Sequence, residues 1–342
     1  MKTRLQSLLA NDQFDEAASL LKSSLKDAQL IDPRDEHTWR DYADQIAASM
    51  QERGDRSTVI AFWEDLLGFF INDLQPAWEH IHKGRIFFRL GWLALPDSVA
   101  KGKKYLEEAL EEARKFWRKE AAEGRIAIED IEKAVAESSS YVTLCIVERI
   151  EDEEFDSDAE KQRFFEELLS PSFDAAIFGD EVKANAVMDA IDKIFATQAI
   201  TEQKMVEIRK QAEKMKKQLD QVASKQVPVA VVSLAGAVLE SILLGVLYAR
   251  GVAEIEVKGK CKKVERKDIL KVTLGPLVKE ASSRSVFPSG SVKTSCRLIQ
   301  IFRNRLHVGN EIRSKYGLTP RVARTLKILL DWSIVDWGRA IS

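Results

Sequence analysis

Between Val227 and Ala249 the chain carries a single charge, Glu240. An apolar stretch of that length is either a bilayer span or a helix buried at the centre of a protein. A carboxylate at the middle of a span costs about 2.5–3.5 kcal/mol on insertion scales. Ser233, Ala237, Ser241 and Gly245 recur every fourth residue. Such a stripe of small side chains lets another helix approach closely. The segment is therefore read as the central buried helix of a C-terminal bundle, with a membrane span as the alternative. An isolated carboxylate in a core is expensive. Glu240 is accordingly expected to be buried and bonded to a polar group of a 291–316 helix, with Arg303 or Arg305 as the favoured partner.

What packs around such a helix follows from composition. Gly (16) and Pro (8) together make 24 of 342 residues, well below the usual share of about 12%. So few turn formers exclude a sandwich of many short strands, and an all-α fold is expected. Any strand should lie near Ile255–Val257. The apolar share, 45%, excludes a disordered chain. The three cysteines, Cys145, Cys261 and Cys296, are odd in number and far apart. They offer neither a disulfide framework nor a CxxC zinc site. The opening MKTRLQSLLANDQF lacks an apolar core long enough for a signal peptide. A reduced, cytoplasmic protein without membrane association is expected.

Residues 1–120 read as helical hairpins. Phe14, Ala17, Leu20, Leu21 and Leu25 form one stripe, and Trp39, Tyr42, Ile46 and Met50 a second. Gly54-Asp55 and Pro76 separate further helices over about Thr58–Asn72 and Trp78–Leu95, and Val99–Lys119 pairs with the latter. With Gly84, Phe87, Phe88, Tyr105-Leu106 and Ala109-Leu110, the stretch His80–Arg114 resembles a tetratricopeptide-type hairpin. Such repeats mostly bind protein partners on a concave face. His80 and His82 point to different helix faces and read as packing or rim residues. Residues 121–200 are read as a helical middle region. Its run Glu151–Glu160 has seven acidic residues in ten but lacks the Gly and Glu of a calcium loop, so a solvated loop is expected. Residues 201–224 read as a connector helix. Met205, Ile208, Ala212, Met215, Leu219 and Val222 repeat at 3, 4, 3, 4, 3, which suits a helix packed on its own protein or a dimer stalk. The last region, 225–342, is expected to be a helical bundle.

Charge divides unevenly along this plan. From Gly251 to Ser342 there are 19 basic and 8 acidic residues, a net +11, against −13 for the first 250. A basic module that meets anions fits this asymmetry, as does mutual attraction within the fold.

The segment QIFRNRLHVGNEI, 300–312, holds the one constellation with chemical interest. On a continuous helix Cys296, Ile299, Phe302 and Leu306 would be buried. Arg303 and His307 would be i, i+4 neighbours beside them, with Gln300, Asn310 and Glu311 close by. His exchanges protons near neutral pH, and Arg stabilises charge on phosphate. The pair could cleave RNA without a metal. A surface Arg beside a structural His is the alternative. No GxxxxGK[ST], GxGxxG, HExxH or GxSxG motif is present, and neither cofactor nor metal is expected.

Three elements in order, LAGAVLESILLGVL (234–247), LGPLVKEA (274–281) and RNRLH (303–307), resemble the HEPN superfamily (higher eukaryote and prokaryote nucleotide-binding domain). The resemblance implies an up-and-down helical bundle, often dimeric. Many family members are metal-independent ribonucleases of antiviral defence and toxin–antitoxin systems. Arg303, Asn304 and His307 match the family's catalytic residues in type and order. The three-residue gap is one shorter than the usual four to six, and some relatives keep the fold only as a binding or dimerisation module. The resemblance implies Arg303, Asn304 and His307 as catalytic residues; beside them Arg305, Gln300 and Asn310 are candidate binding residues, and Glu240 is the expected buried support. The resemblance also implies a homodimer acting as an endoribonuclease effector or toxin of bacterial defence, and the repeat-like N-terminal region is expected to sense or dock a protein partner. A non-catalytic adaptor is the alternative.

Overall fold

The computed structural model describes residues 2–27, 36–53, 56–72, 79–196, 203–252, 254–257, 260–263, 272–306 and 314–341. Its helices are α1 (Lys2–Ala10), α2 (Phe14–Lys26), α3 (Glu36–Glu52), α4 (Arg56–Asn72), α5 (Glu79–Ala94), α6 (Val99–Ala122), α7 (Ile131–Ala136) and α8 (Ser139–Glu151). Next come α9 (Asp158–Glu167), α10 (Pro171–Phe178), α11 (Ala184–Phe195), α12 (Gln203–Ser224) and α13 (Pro228–Ala249). A hairpin of β1 (Glu254–Val257) and β2 (Lys260–Lys263) precedes α14 (Leu274–Ser283), α15 (Gly290–Asn304) and α16 (Pro320–Ile341). Capping serines open α6, α9 and α15. The fold is all-α. The antiparallel hairpin, with Ile255 opposite Lys262, is the only sheet among the described residues.

Two compact units divide the chain, Met1–Leu144 and Cys145–Ser342. The boundaries expected at 120, 200 and 224 do not coincide with this division. The middle region splits, because α10 and α11 pack on α16 and α9 packs on α15, which draws the segment after 145 into the second unit. Helix α12, read as a connector packed on its own protein, does pack on its own chain. It packs on α11, α13 and α16 as a member of the bundle.

In the first unit Trp39, Ile46, Trp63, Leu66, Ile86 and Leu90 share one core. Trp39 Nε1 donates to the buried His82 Nδ1 at 3.1 Å. His80 bonds Glu112 at 2.7 Å instead, so the two histidines do face different ways. The α5/α6 hairpin closes through glycines. A Cβ on Gly91 would lie 2.7 Å from Leu106 Cγ and 3.0 Å from the Gly102 carbonyl.

In the second unit α13 is the central element, contacted by α11, α12, α14, α15 and α16. By length and composition it could cross a bilayer, yet 67% of its most apolar window is buried inside the protein. Two small residues admit neighbours: Gly245 receives the Phe195 ring, and Gly236 lies under the side chain of Arg303. Ser241, another member of the small stripe, donates to the Ala237 carbonyl at 3.1 Å.

The seam of α12 holds at Met205, Ile208, Ala212 and Leu219 and shifts at Met215, where Lys216 is buried instead. Lys216 is 2% exposed and Asp331 on α16 is 1% exposed. Lys216 Nζ lies 2.6 Å from Asp220 and 3.3 Å from Asp331. Lys327 Nζ lies 2.9 Å from Asp331 and 3.4 Å from Asp220. Two cations and two carboxylates thus close a charge-neutral square. Burial pushes the Asp331 carboxyl above its ordinary range despite the opposing pull of Lys216 and Lys327.

Candidate nucleic-acid interface

Helix α15 carries the candidate residues. Ser289 caps it, accepting from Val292 N at 3.3 Å. Cys296, Leu298, Ile299, Ile301 and Phe302 are buried. The helix does not run on to 316. It ends at Asn304, and its last turn tightens: Arg305 N donates to Phe302 O and Leu306 N to Arg303 O, each at 3.3 Å. These i→i−3 bonds are a helix terminus. Leu306, expected in the buried stripe, is consequently half-buried. The helix expected to carry both Arg303 and His307 ends at Asn304. His307, Asn310 and Glu311 lie outside the described residues.

Arg303 is held from two sides. Its stem crosses Gly236 of α13, where a Cβ would fall on the Arg303 side chain. Its Nη1 donates to Glu240 Oε1, one turn further along α13. The missing Cβ at Gly236 is what gives the guanidinium its path to Glu240. Glu240 was expected to be buried. Its side chain is 20% exposed and that of Arg303 29% exposed. The pair sits at the rim of the bundle, where water shares the cost of both charges.

Asn304 is exposed. Arg305 is engaged elsewhere: Nη1 donates to Asp152 Oδ2 at 2.9 Å and Nη2 to the Asp152 carbonyl at 2.7 Å. Glu153 lies 3.6 Å from it. At the other end of the 307–313 stretch, the backbone N–H groups of Lys315 and Tyr316 donate to the Glu148 carboxylate at 2.8 and 3.1 Å. Glu148 and Asp152 are four residues apart at the end of α8. Together they fix both flanks of the segment that contains His307. Sequence reading missed this clamp. Its only trace is a pair of acids at helical spacing.

The acidic run is a loop through Ser157, with Asp152, Glu154 and Asp156 exposed, and then opens α9; it is also tied to α15. Ser157 caps α9 by accepting from Glu160 N at 3.2 Å, and Glu160 Oε2 accepts from Asp156 N at 3.0 Å. The other Glu160 oxygen accepts from Arg297 Nη1 at 2.5 Å, while Arg297 Nη2 donates to the Glu154 carbonyl at 3.0 Å. The Arg297 guanidinium lies 4.2 Å from the Phe155 ring centroid and 5.8 Å from that of Phe164. Burial alone would raise the Glu160 carboxyl, but the Asp156 N–H, Arg297 and Lys293 hold it below its ordinary value. Between this segment, α14 and α15 opens a cleft of about 770 Å³, lined on one side by Glu153, Asp156 and Glu160 and on the other by Lys279, Lys293 and Gln300. Gln300 is half-buried, its amide 3.2 Å from the place a Cβ on Gly275 would take.

Among the described residues no three His, Cys, Asp or Glu side chains gather in a metal-binding group. Cys145 and Cys296 are buried, and burial pushes the Cys296 thiol far up, so it is a packing residue. Compared with models of protein families, with curated proteins and with solved structures, the chain matches none.

Proposed function

We propose that this chain is a HEPN-like, metal-independent endoribonuclease of bacterial defence, acting in the cytoplasm. The C-terminal unit would perform the chemistry as a homodimer, and the N-terminal helical unit would dock a protein partner. The observation that carries this reading is the fixed guanidinium of Arg303, over Gly236 and against Glu240, at the entrance to the stretch holding His307. In the reaction His307 takes the proton of an RNA 2′-OH. The 2′-oxygen attacks phosphorus and the P–O5′ bond breaks. Arg303 stabilises the charge on the phosphorane oxygens. The products are a 2′,3′-cyclic phosphate and a 5′-OH, with the second copy's His307 donating the leaving-group proton. Asn304, Arg305, Gln300 and Asn310 position the strand.

The test is cleavage of total RNA by the full chain in EDTA, with sedimentation to read its oligomeric state. Wild type should cut, His307→Ala and Arg303→Ala should not, and the melting temperature of His307→Ala should match wild type. Wild-type protein inert on RNA overturns the reading. A second reading, a non-catalytic adaptor, is favoured by the pairing of Arg303 and Arg305 with carboxylates of their own chain. It predicts RNA or partner binding that is indifferent to His307→Ala.

A further inference from the structure

Seven acids in ten residues should face water, and Glu154, Asp156 and Asp158 do, yet Asp152, Glu153 and Glu160 pair with the arginines of α15. The manner of the contact is informative. Arg297 has a carboxylate on the edge of its fork, from Glu160, and an aromatic ring on its face, from Phe155. Single-stranded nucleic acid engages arginine in the same two ways, with a phosphate on the fork and a base on the plane. Arg305 likewise has an anion on its fork, from Asp152. With 152–160 set aside, the cleft lining keeps Lys279, Lys293, Arg297 and Gln300 against a single carboxylate, Glu280.

We infer that the α14/α15 face is a docking surface for the backbone of single-stranded RNA, and that residues 152–160 are the chain's own stand-in for that strand. The inference rests on the ribonuclease reading for the identity of the polyanion. The Asp152 anchor is the one open to displacement, whereas Glu160 and Arg297 are 27% and 18% exposed. Asp152 is 64% exposed in its pair with Arg305, and an ion pair that wet is individually weak. Incoming phosphates offer the same arginines equivalent partners and also release counterions, which a carboxylate of the same chain does not. The segment therefore sets a threshold: short or weakly charged anions leave it in place, and a continuous strand removes it.

The experiment measures binding of a fluorescein-labelled oligouridylate to the full chain by anisotropy at fixed salt. All variants carry His307→Ala, so cleavage plays no part. Asp152→Asn with Glu160→Gln removes two anchors. Asp189→Asn with Glu207→Gln removes the same charge from exposed positions of α11 and α12. If the segment covers the face in about nine molecules of ten, freeing it tightens binding roughly tenfold. The control pair should change it far less, and adding Arg297→Gln to the anchor variant should reverse the gain. Equal tightening by both pairs, or none by the anchor pair in a protein with an unchanged circular dichroism spectrum, overturns the inference. Cleavage by the otherwise wild-type chain is scored separately. Loss of the nuclease reading with retained tightening leaves an RNA-binding adaptor with the same cover.

Discussion

Replacing Lys216 with Met tests how the second unit tolerates charge in its interior. The aliphatic stem is kept, so packing changes little and the ammonium is what is lost. Asp331, 1% exposed, is then left with Lys327 alone at 2.9 Å, and Lys327 must also serve Asp220 at 3.4 Å. Removing one partner of a buried pair typically costs about 3–5 kcal/mol. Because Lys327 remains, we take the lower end, about 3 kcal/mol. For a unit of about 200 residues each kcal/mol moves the melting temperature by roughly 2–4 °C, so a fall of about 6–12 °C is expected. Differential scanning calorimetry of the full chain reads it as a shift of one transition. The double variant Lys216→Met/Asp331→Leu removes one charge of each sign and leaves Lys327 with Asp220. It should recover most of the loss, since a buried ion pair is often replaceable by apolar side chains. A fall under about 2 °C for the single variant, or a double variant no better than the single, refutes the claim that the square is a coupled, desolvated unit.

Other expectations follow from named contacts. Gly236→Ala puts a Cβ onto the Arg303 stem; helix α13 gains up to about 1 kcal/mol of propensity, so the bundle stays folded while RNA cleavage falls to the Arg303→Ala level, read in the same cleavage assay. Gly91→Ala meets Leu106 Cγ at 2.7 Å and a backbone oxygen at 3.0 Å; overpacking of about 1–3 kcal/mol outweighs the propensity gain, and urea unfolding should show net destabilisation. Burial tends to raise the Glu112 carboxyl, but its bonds to Lys115 and His80 bring it below the ordinary value of 4.5. The native state thus binds this proton less readily than the unfolded chain. Its stabilisation is present above that ordinary value and is lost as pH falls through the lowered native one. Glu112→Gln should flatten the acid limb of the first unit's melting profile, and an unchanged limb would count against the assignment.

Much of this fold is legible in the chain. The scarcity of Gly and Pro, the caps at Ser98, Ser157 and Thr319, and the seam of α12 are local signals, and local signals set helix boundaries. What was misread depends on partners distant in sequence. A run of acids looks solvated until Arg297 and Arg305, some 140–150 residues later, are brought against it. The apolar pattern after Arg303 still reads as helix, yet α15 ends at Asn304, where Arg305 is tied to Asp152. Lys216 sits next to a seam position, and only α16 reveals that it faces inward. Pro171 opens α10, because its fixed φ suits a first turn.

The order of synthesis adds a burden that the finished bundle conceals. Helix α13 is the most apolar segment, but α14, α15 and α16, which help to enclose it, are made after it. About 70 residues separate the end of α13 from the start of α16, which at 5–20 residues per second is roughly 4–14 s of elongation. At the start of that interval, among the described residues, α11 and α12 are the partners of α13 in the second unit's helical packing that already exist, and α14 and α15 follow before α16. A nascent chain in this state presents a greasy helix with one carboxylate, the kind of segment that chaperones hold and membrane-targeting factors sample. Glu240, whose guanidinium partner on α15 has yet to be translated, is at that stage a bare charge that disfavours insertion into lipid.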